Sequence, residues 1–350
     1  MQFKLKNFTQ QNKEKNLLSR YKIVLAILFF CGFNFKVFKF FNRYRIAAIV
    51  YNICLIIISI GTTLYCRKHA NYFQIWSLIE YVSSVFILII YNSKLSKFSY
   101  KLLSIDTFLR INLSHYTKSR NKIFLTIFTL WITRILFISI HCIIYMCFIN
   151  GSIFFISLFS SFALDMNRVW RFLLLDIIRH RLCLLRKRLE EMPGCNFYLY
   201  AYDNKTVKTD KIKFFTNLYR DIADIIDLIK PEIHASVSII LSYLEPVESI
   251  GFTVIHLCQV CFLLFSPCIV VELHLMEVEK IRTALIHHLI CETDPKTKED
   301  IEIFLTYTNI RSFQCKIWRC IPLNISLPIE IASVCSSTII VLINFTHLFG

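Results

Sequence analysis

Long apolar runs alternate with polar, mostly basic connections along the chain. Each run has about 18 or more residues and few charges, which is the length at which a helix crosses the hydrocarbon core of a bilayer. The pattern therefore predicts an all-α integral membrane protein, a bundle of seven helices. The predicted spans lie at about 46–65, 75–91, 123–145, 147–166, 234–253, 255–275 and 324–349.

An earlier apolar run, Ile23–Phe35, has about 13 residues and contains Gly32 and Asn34. It is too short to span a bilayer, and a run of this length is typical of an interfacial or re-entrant helix. The alternative is the hydrophobic core of a signal peptide, which is disfavoured because no small-residue cleavage site follows it. We expect an interfacial helix near the start of the chain.

Composition agrees with the membrane prediction. The chain has 350 residues, is 55% hydrophobic and has a mean hydropathy of +0.54, an apolar excess over soluble domains. Its formal net charge of +16 could indicate binding to nucleic acid through phosphate contacts. The positions of the charges along the chain argue against that class.

Basic residues fall almost entirely on alternate connections. Ten precede the first span, seven lie between the second and third, thirteen between the fourth and fifth, and seven between the sixth and seventh. Two follow the first span and Arg134 lies inside the third, so 37 of the 40 basic residues share one side. Since connections rich in Lys and Arg stay in the cytoplasm, the N-terminus is predicted inside and the C-terminus outside. Receptors that couple to G proteins have the opposite orientation, which argues against that alternative.

Amphipathic stretches extend three of the spans on the predicted inner face. Residues 167–192 continue the fourth span, 214–230 lead into the fifth, and 274–291 continue the sixth. Each has apolar positions at helical spacing but is too short to form a core alone. We expect them to pack together, or against other subunits, as an anchor region. The polar stretches 202–210 and 292–300 are predicted to be loops.

The chain lacks the motifs of common enzymes. No Gly-rich nucleotide loop, zinc-protease helix or hydrolase nucleophile elbow occurs, so we expect neither catalysis nor a cofactor. The 14 cysteines are irregularly spaced, mostly within spans or on the predicted inner face, where thiols stay reduced. Cys258 and Cys261 form a CxxC pair, but no second pair accompanies it, and no metal site is predicted.

The last span carries a mostly polar stripe. Glu330, Ser333, Ser337, Val341 and Asn344 recur at steps of three and four residues, which places them on one face of a helix. Lipid cannot satisfy polar side chains, so this face must contact protein or water. The stripe indicates either a pore lining or close helix packing through small residues. A pore would also require several subunits, because one helix cannot enclose a channel.

The run Ser337–Phe345 resembles the signature of insect gustatory receptors, which is Thr-Tyr, five hydrophobic residues and Gln-Phe. Ser337, Thr338 and Asn344 replace its Thr, Tyr and Gln, while the spacing and Phe345 are kept. Two further stretches resemble the family's approach to its last helix and its long inner helix, respectively Phe313–Glu330 and Arg168–Leu189.

The resemblance implies a ligand-gated, nonselective cation channel, similar in architecture to the odorant receptor co-receptor, with four subunits around one pore. It implies that Asn344 and Phe345 lie at the constriction, with Val341 and Ser337 lining the path below. A carboxamide ring can replace part of an ion's hydration, and an apolar ring can gate by dewetting. Sugar-sensing members carry Glu directly after the Thr-Tyr pair, whereas this chain has Ile339, so a sugar ligand is disfavoured.

A small-molecule tastant is expected in the outer half of the bundle. Aromatic walls with a few polar groups suit an amphipathic ligand, although Trp and Tyr also populate membrane interfaces. Arg134 needs a partner within the membrane, for which Glu80 or a backbone carbonyl is a candidate, and a structural clamp is the alternative to ligand recognition. The candidate ligand-binding residues are Trp76, Glu80, Tyr81, Arg134, His141, Tyr145 and Phe155.

Together these features predict a gustatory receptor subunit in the plasma membrane, with a tastant, permeant cations, lipid and other receptor subunits as partners. The predicted regions are a cytoplasmic N-terminus with an interfacial helix (1–45), a six-span ligand-binding bundle (46–275) with an inner extension (167–233), a cytoplasmic anchor segment (276–323) and a pore-lining seventh span (324–350). An odorant receptor subunit is the nearest alternative, and the terminal carboxamide-Phe pair favours the gustatory type. A transporter would predict repeated halves, and the sequence has no such symmetry.

Overall fold

The computed structural model describes most of the chain in long helices. The described residues are 24–33, 45–65, 72–109, 151–192, 205–241, 250–311, 313–317 and 321–327, with isolated positions between 125 and 139 and between 329 and 344. The helices are α1 (24–30), α2 (Arg45–Tyr65), α3 (Tyr72–Phe108), α4 (Gly151–Glu190), α5 (Lys205–Leu241), α6 (Ile250–Cys291) and α7 (Pro295–Ile310).

Strand structure among the described residues is limited to one short pair. β1 (Lys316–Ile317) pairs antiparallel with β2 (Ile321–Pro322), after which helix resumes. The helical positions described from 326 to 344 are named here the terminal helical segment. Apart from this hairpin, the all-α prediction is confirmed for the described part of the chain. Among these residues, none of the helices combines the length and the apolar character that crossing a membrane requires.

Several helices extend beyond the apolar runs that predicted them. α4 has 40 residues and continues without interruption to Glu190, and α6 has 42 and continues to Cys291. Apolar windows mark only part of such helices, because the remainder is amphipathic and stays helical through one buried face. Two predicted loops are wrong for the same reason, since α5 already begins at Lys205 and α7 occupies Pro295–Ile310.

The first of two compact units comprises residues 1–174 and 218–260. Its described core is formed by α1, α2 and α3 with the first part of α4 and the later part of α5, and Leu28, Phe33, Tyr81, Val85 and Ile222 are almost fully buried. The unit also buries an unusual number of polar side chains: Asn52, Ser59, Glu80, Ser84, Ser160, Ser161, Asp165, Asn167, Arg168 and Arg171.

The second unit comprises residues 175–217 and 261–350. Within it, His274 Nε2 donates to the carbonyl of Leu175 at 2.9 Å, and His288 Nε2 donates to that of Leu189 at 3.0 Å. Both pairs have the same offset of 99 residues, so α4 and α6 run parallel here. The two contacts lie two heptads apart, the repeat at which paired helices present the same faces to each other.

Candidate functional site

The end of α1 forms a tight cap in the core of the first unit. Phe33 N–H donates to the carbonyl of Leu28 at 2.8 Å and Gly32 N–H to that of Phe29 at 3.0 Å, the paired bonds of a Schellman motif. The motif needs a left-handed residue after the helix, and Gly32 supplies it with φ of 83°. A Cβ at Gly32 would lie 2.6 Å from the Tyr81 hydroxyl oxygen. The chain therefore passes Tyr81 at a distance that only glycine permits.

Two tyrosine hydroxyls satisfy carbonyls that the end of α1 leaves open. Tyr51 of α2 donates to the carbonyl of Phe30 at 2.8 Å, and Tyr81 of α3 donates to that of Cys31 at 2.9 Å. The Tyr81 ring also meets Phe33 and Phe159 edge to face, with centroids 6.0 and 6.1 Å apart. The Tyr81 hydroxyl binds the end of α1, and its ring contacts Phe159 of α4. Tyr81 therefore connects α1 and α4 to α3.

Glu80, next to Tyr81 on α3, takes part in a buried ion pair. Arg168 of α4 donates through Nη2 to both Glu80 carboxylate oxygens, at 2.7 and 3.0 Å, and through Nη1 to Asp165 at 3.3 Å. Two carboxylates beside one guanidinium, all nearly excluded from solvent, form a charged cluster between two helices. The sequence analysis named Glu80 or a backbone carbonyl as the partner of Arg134, whereas in the structure Glu80 pairs with Arg168.

The remaining predicted ligand-binding residues are not brought together by the described structure. Trp76 lies on α3 and Phe155 on α4, but only their backbone positions are described. Arg134, His141 and Tyr145 lie outside the described residues. The ligand-binding assignments therefore stay predictions, with Glu80 and Tyr81 positioned in the polar core of the first unit.

The predicted pore stripe lies on an exposed face of the terminal helical segment. Val341 is 50% exposed, and the side chains of Ser337 and Asn344 are also exposed. The Ser337 hydroxyl donates to the carbonyl of Ser333 at 2.9 Å, one turn earlier, as serines in helices commonly do. Phe345 lies outside the described residues. The pore assignments stay predictions, and the described members of the stripe are exposed.

Charged side chains link α4 and α6 in the second unit. Arg186 Nε donates to Glu277 at 2.8 Å, Arg186 Nη1 donates to Glu190 at 2.8 Å, and Lys280 donates to Glu277 at 3.1 Å. Partial burial alone would raise the pKa of Glu277, but the hydrogen bonds from Lys280 and Arg186 outweigh it and hold the pKa below its ordinary value. The network was not predicted, although the spacing of Arg186 and Glu190 is that of a helical ion pair.

Cysteine chemistry differs in one place from the expectation. Cys291, at the end of α6, is disulfide-bonded, so the expectation of reduced thiols is wrong there. Linear spacing cannot reveal a disulfide whose partner approaches only in the fold. Among the described residues, no group of three or more His, Cys, Asp or Glu side chains could hold a metal ion. The described cysteines that form no disulfide are Cys31, Cys54, Cys183, Cys268 and Cys315.

Comparisons with known proteins found similarity among solved structures. No protein-family model matches the chain, and no curated protein matches it. Among solved structures, it is similar to the insect olfactory receptor OR5 from Machilis hrabei, determined in complex with eugenol. The TM-score is 0.48 and the identity 12%, over 95% of this chain and 99% of that chain. A TM-score below 0.5 at this identity does not assign the chain to a fold or a family.

Proposed function

We propose that the chain is a subunit of a ligand-gated cation channel of the insect chemoreceptor type, located in the plasma membrane. The observation that carries the proposal is the stripe of Ser333, Ser337 and Asn344 on a mostly apolar terminal segment, on the same face as Val341. These side chains are exposed in the single chain. The Ser337 hydroxyl donates to the carbonyl of Ser333, whereas lipid offers no hydrogen-bond partner to the Asn344 carboxamide. Several subunits around an aqueous pore would give this face water.

The sequence supports the finer assignment to a gustatory receptor. The resemblance of Ser337–Phe345 to the family signature includes a carboxamide followed by Phe, which favours the gustatory over the odorant type. The partition of 37 of the 40 basic residues to one side supports the inverted orientation of this class. Ile339 disfavours a sugar, so the proposed ligand is a small amphipathic tastant. Glu80 and Tyr81 remain candidate contacts for such a ligand from the sequence, and in the structure they lie in the buried core of the first unit.

Whole-cell recording from cells that express the chain, with a tastant panel and with candidate co-receptors, tests the proposal. Ligand-evoked cation current is expected. Asn344→Ala should change the relative permeability of cations, since a carboxamide ring contributes to their coordination. Asn309→Ala on α7 is the matched control, because Asn309 is also exposed but lies outside the stripe. A responsive channel in which both variants keep the wild-type permeabilities would refute the pore assignment.

An orientation experiment tests the other half of the proposal. An epitope tag at Met1 should bind antibody only after permeabilisation, and a tag after Gly350 should bind it on intact cells. The reverse pattern would exclude this class of receptor and support one with its N-terminus outside.

A further inference from the structure

Glu330 is the last charged residue of the chain, apart from His347. After Arg319 the sequence contains no other Asp, Glu, Lys or Arg. Its side chain is exposed, and no ion-pair partner for it occurs among the described residues. A single carboxylate in so apolar a stretch requires a physical reason.

The position of Glu330 is on the same face as the stripe that ends at Asn344. Steps of three, four, four and three residues connect Glu330 through Ser333, Ser337 and Val341 to Asn344. Over the fourteen residues from Glu330 to Asn344 a helix would rise by about 21 Å. The carboxylate therefore lies at the beginning of the column, far from the carboxamide at its end.

The interaction of a carboxylate with the helix dipole does not explain the position of Glu330. An acidic side chain stabilises a helix chiefly within its first turn, where the unsatisfied N–H groups lie. The terminal helical segment begins at Ser326, so Glu330 follows its first four residues. The helix dipole would also act on any face of the helix, whereas Glu330 falls on the polar column.

We propose that the Glu330 carboxylates of the assembled subunits ring the cytoplasmic mouth of the pore and concentrate cations there. This inference rests on the proposed channel function and on the N-terminus-inside orientation. Rings of Asp or Glu attract cations and repel anions, and a charged entrance raises the local concentration of the permeant ion. At about 0.1 M salt the Debye length is about 10 Å, so the field fades before it reaches Asn344. Glu330 sets how many cations enter, and Asn344 sets which of them pass.

Recording from inside-out patches with K⁺ as the permeant ion tests the role of Glu330. Glu330→Gln should lower the outward single-channel current roughly twofold at about 20 mM K⁺, less at about 150 mM, and hardly at all at about 1 M, where screening removes the field. Permeability ratios among cations should not change. Glu330→Asp keeps the charge and should behave as the wild type. Glu302→Gln is the matched control, because Glu302 is an exposed glutamate on α7.

The outcomes separate the inference from the function on which it rests. Equal outward currents for wild type and Glu330→Gln at about 20 mM K⁺, from channels that open, would overturn the charge ring alone. A loss of current that is the same at every salt concentration would also overturn it, since a structural defect is not screened. Wild-type patches without spontaneous or tastant-evoked openings would overturn the channel function and the inference with it.

Discussion

Arg168 binds both carboxylate oxygens of Glu80 through a single nitrogen, with 7% and 6% of the two side chains exposed. Breaking a buried pair by removing one partner leaves the other charge without compensation, at a cost of about 3–5 kcal/mol. We expect Arg168→Gln to lower the free energy of unfolding by that amount, and Glu80→Gln by less, because Asp165 still compensates the charge of Arg168. Thermal or denaturant unfolding of the purified protein in detergent measures it.

A second ion pair made by α3 provides the control. Lys101 donates to Asp224 at 3.0 Å, but the two side chains are 40% and 32% exposed. Solvent screens such a pair, so Lys101→Gln should cost at most about 1 kcal/mol. A variant with both Glu80→Gln and Arg168→Gln should lose less than the sum of the single losses, because the two residues are in contact. Strict additivity would show that the buried pair does not contribute as a unit.

Substitution by alanine should have opposite effects on stability at Gly32 and at Gly61. At Gly32 the backbone is left-handed and a Cβ would meet the Tyr81 hydroxyl, so Gly32→Ala should destabilise the first unit by about 1–3 kcal/mol. At Gly61, inside α2, a Cβ would meet nothing within 4 Å, and Gly61→Ala should stabilise by up to about 1 kcal/mol. Melting temperatures of the two variants, compared with that of the wild type, show whether each substitution stabilises or destabilises the protein. Stabilisation by Gly32→Ala would contradict the cap described at the end of α1.

The sequence predicted a helix around Gly32 but not the role of the glycine. Apolar periodicity reports which segments are buried, and it located α1 and α2 for that reason. A left-handed cap and the hydroxyls that complete it depend on which residues meet across the fold, since Tyr51 and Tyr81 are distant from Phe30 and Cys31 in sequence. These contacts cannot be inferred from spacing.

The ion pair between Glu80 and Arg168 could not be inferred from spacing either. Arg134 was expected to need a partner within the membrane, with Glu80 or a backbone carbonyl as candidates, because an isolated charge is costly inside a protein. Residues 167–192 were predicted to continue the fourth span, but spacing along the chain could not show that Arg168 meets Glu80 of α3. The continuous helix of α4 places Arg168 beside Glu80.

Stability of the second unit should depend on pH through Glu277. Its pKa in the folded chain lies below the ordinary value of glutamate, about 4.3. A depressed pKa contributes stability that is fully present above the ordinary pKa and is lost as the pH falls through the lower, folded value. Glu277→Gln should therefore be less stable than wild type near neutral pH, with the difference disappearing in acid. Unfolding measured from neutral to strongly acidic pH checks this.

Glu279 is the control for this pH dependence. It is 66% exposed and pairs with Arg282 on the same helix, a contact that solvent screens. We expect Glu279→Gln to follow the wild-type pH profile closely. An equal effect of the two substitutions would show that net charge, and not the contact of Glu277 with Arg186 and Lys280, determines the profile.

Asp294 starts α7 as its N-cap. Its Oδ2 accepts from the Thr297 backbone N–H at 3.1 Å and from the Thr297 hydroxyl at 2.7 Å, and Pro295 follows at a first-turn position. Asp294→Ala should cost about 1 kcal/mol and increase amide hydrogen exchange in the first turn of α7. Asp294→Asn keeps an acceptor oxygen and should retain most of the stability. Thr306→Ala, at an exposed position near the end of α7, is the control for helix propensity. Faster exchange along the whole of α7 in Asp294→Ala would show that the cap holds the entire helix, whereas unchanged exchange in the first turn would contradict the cap.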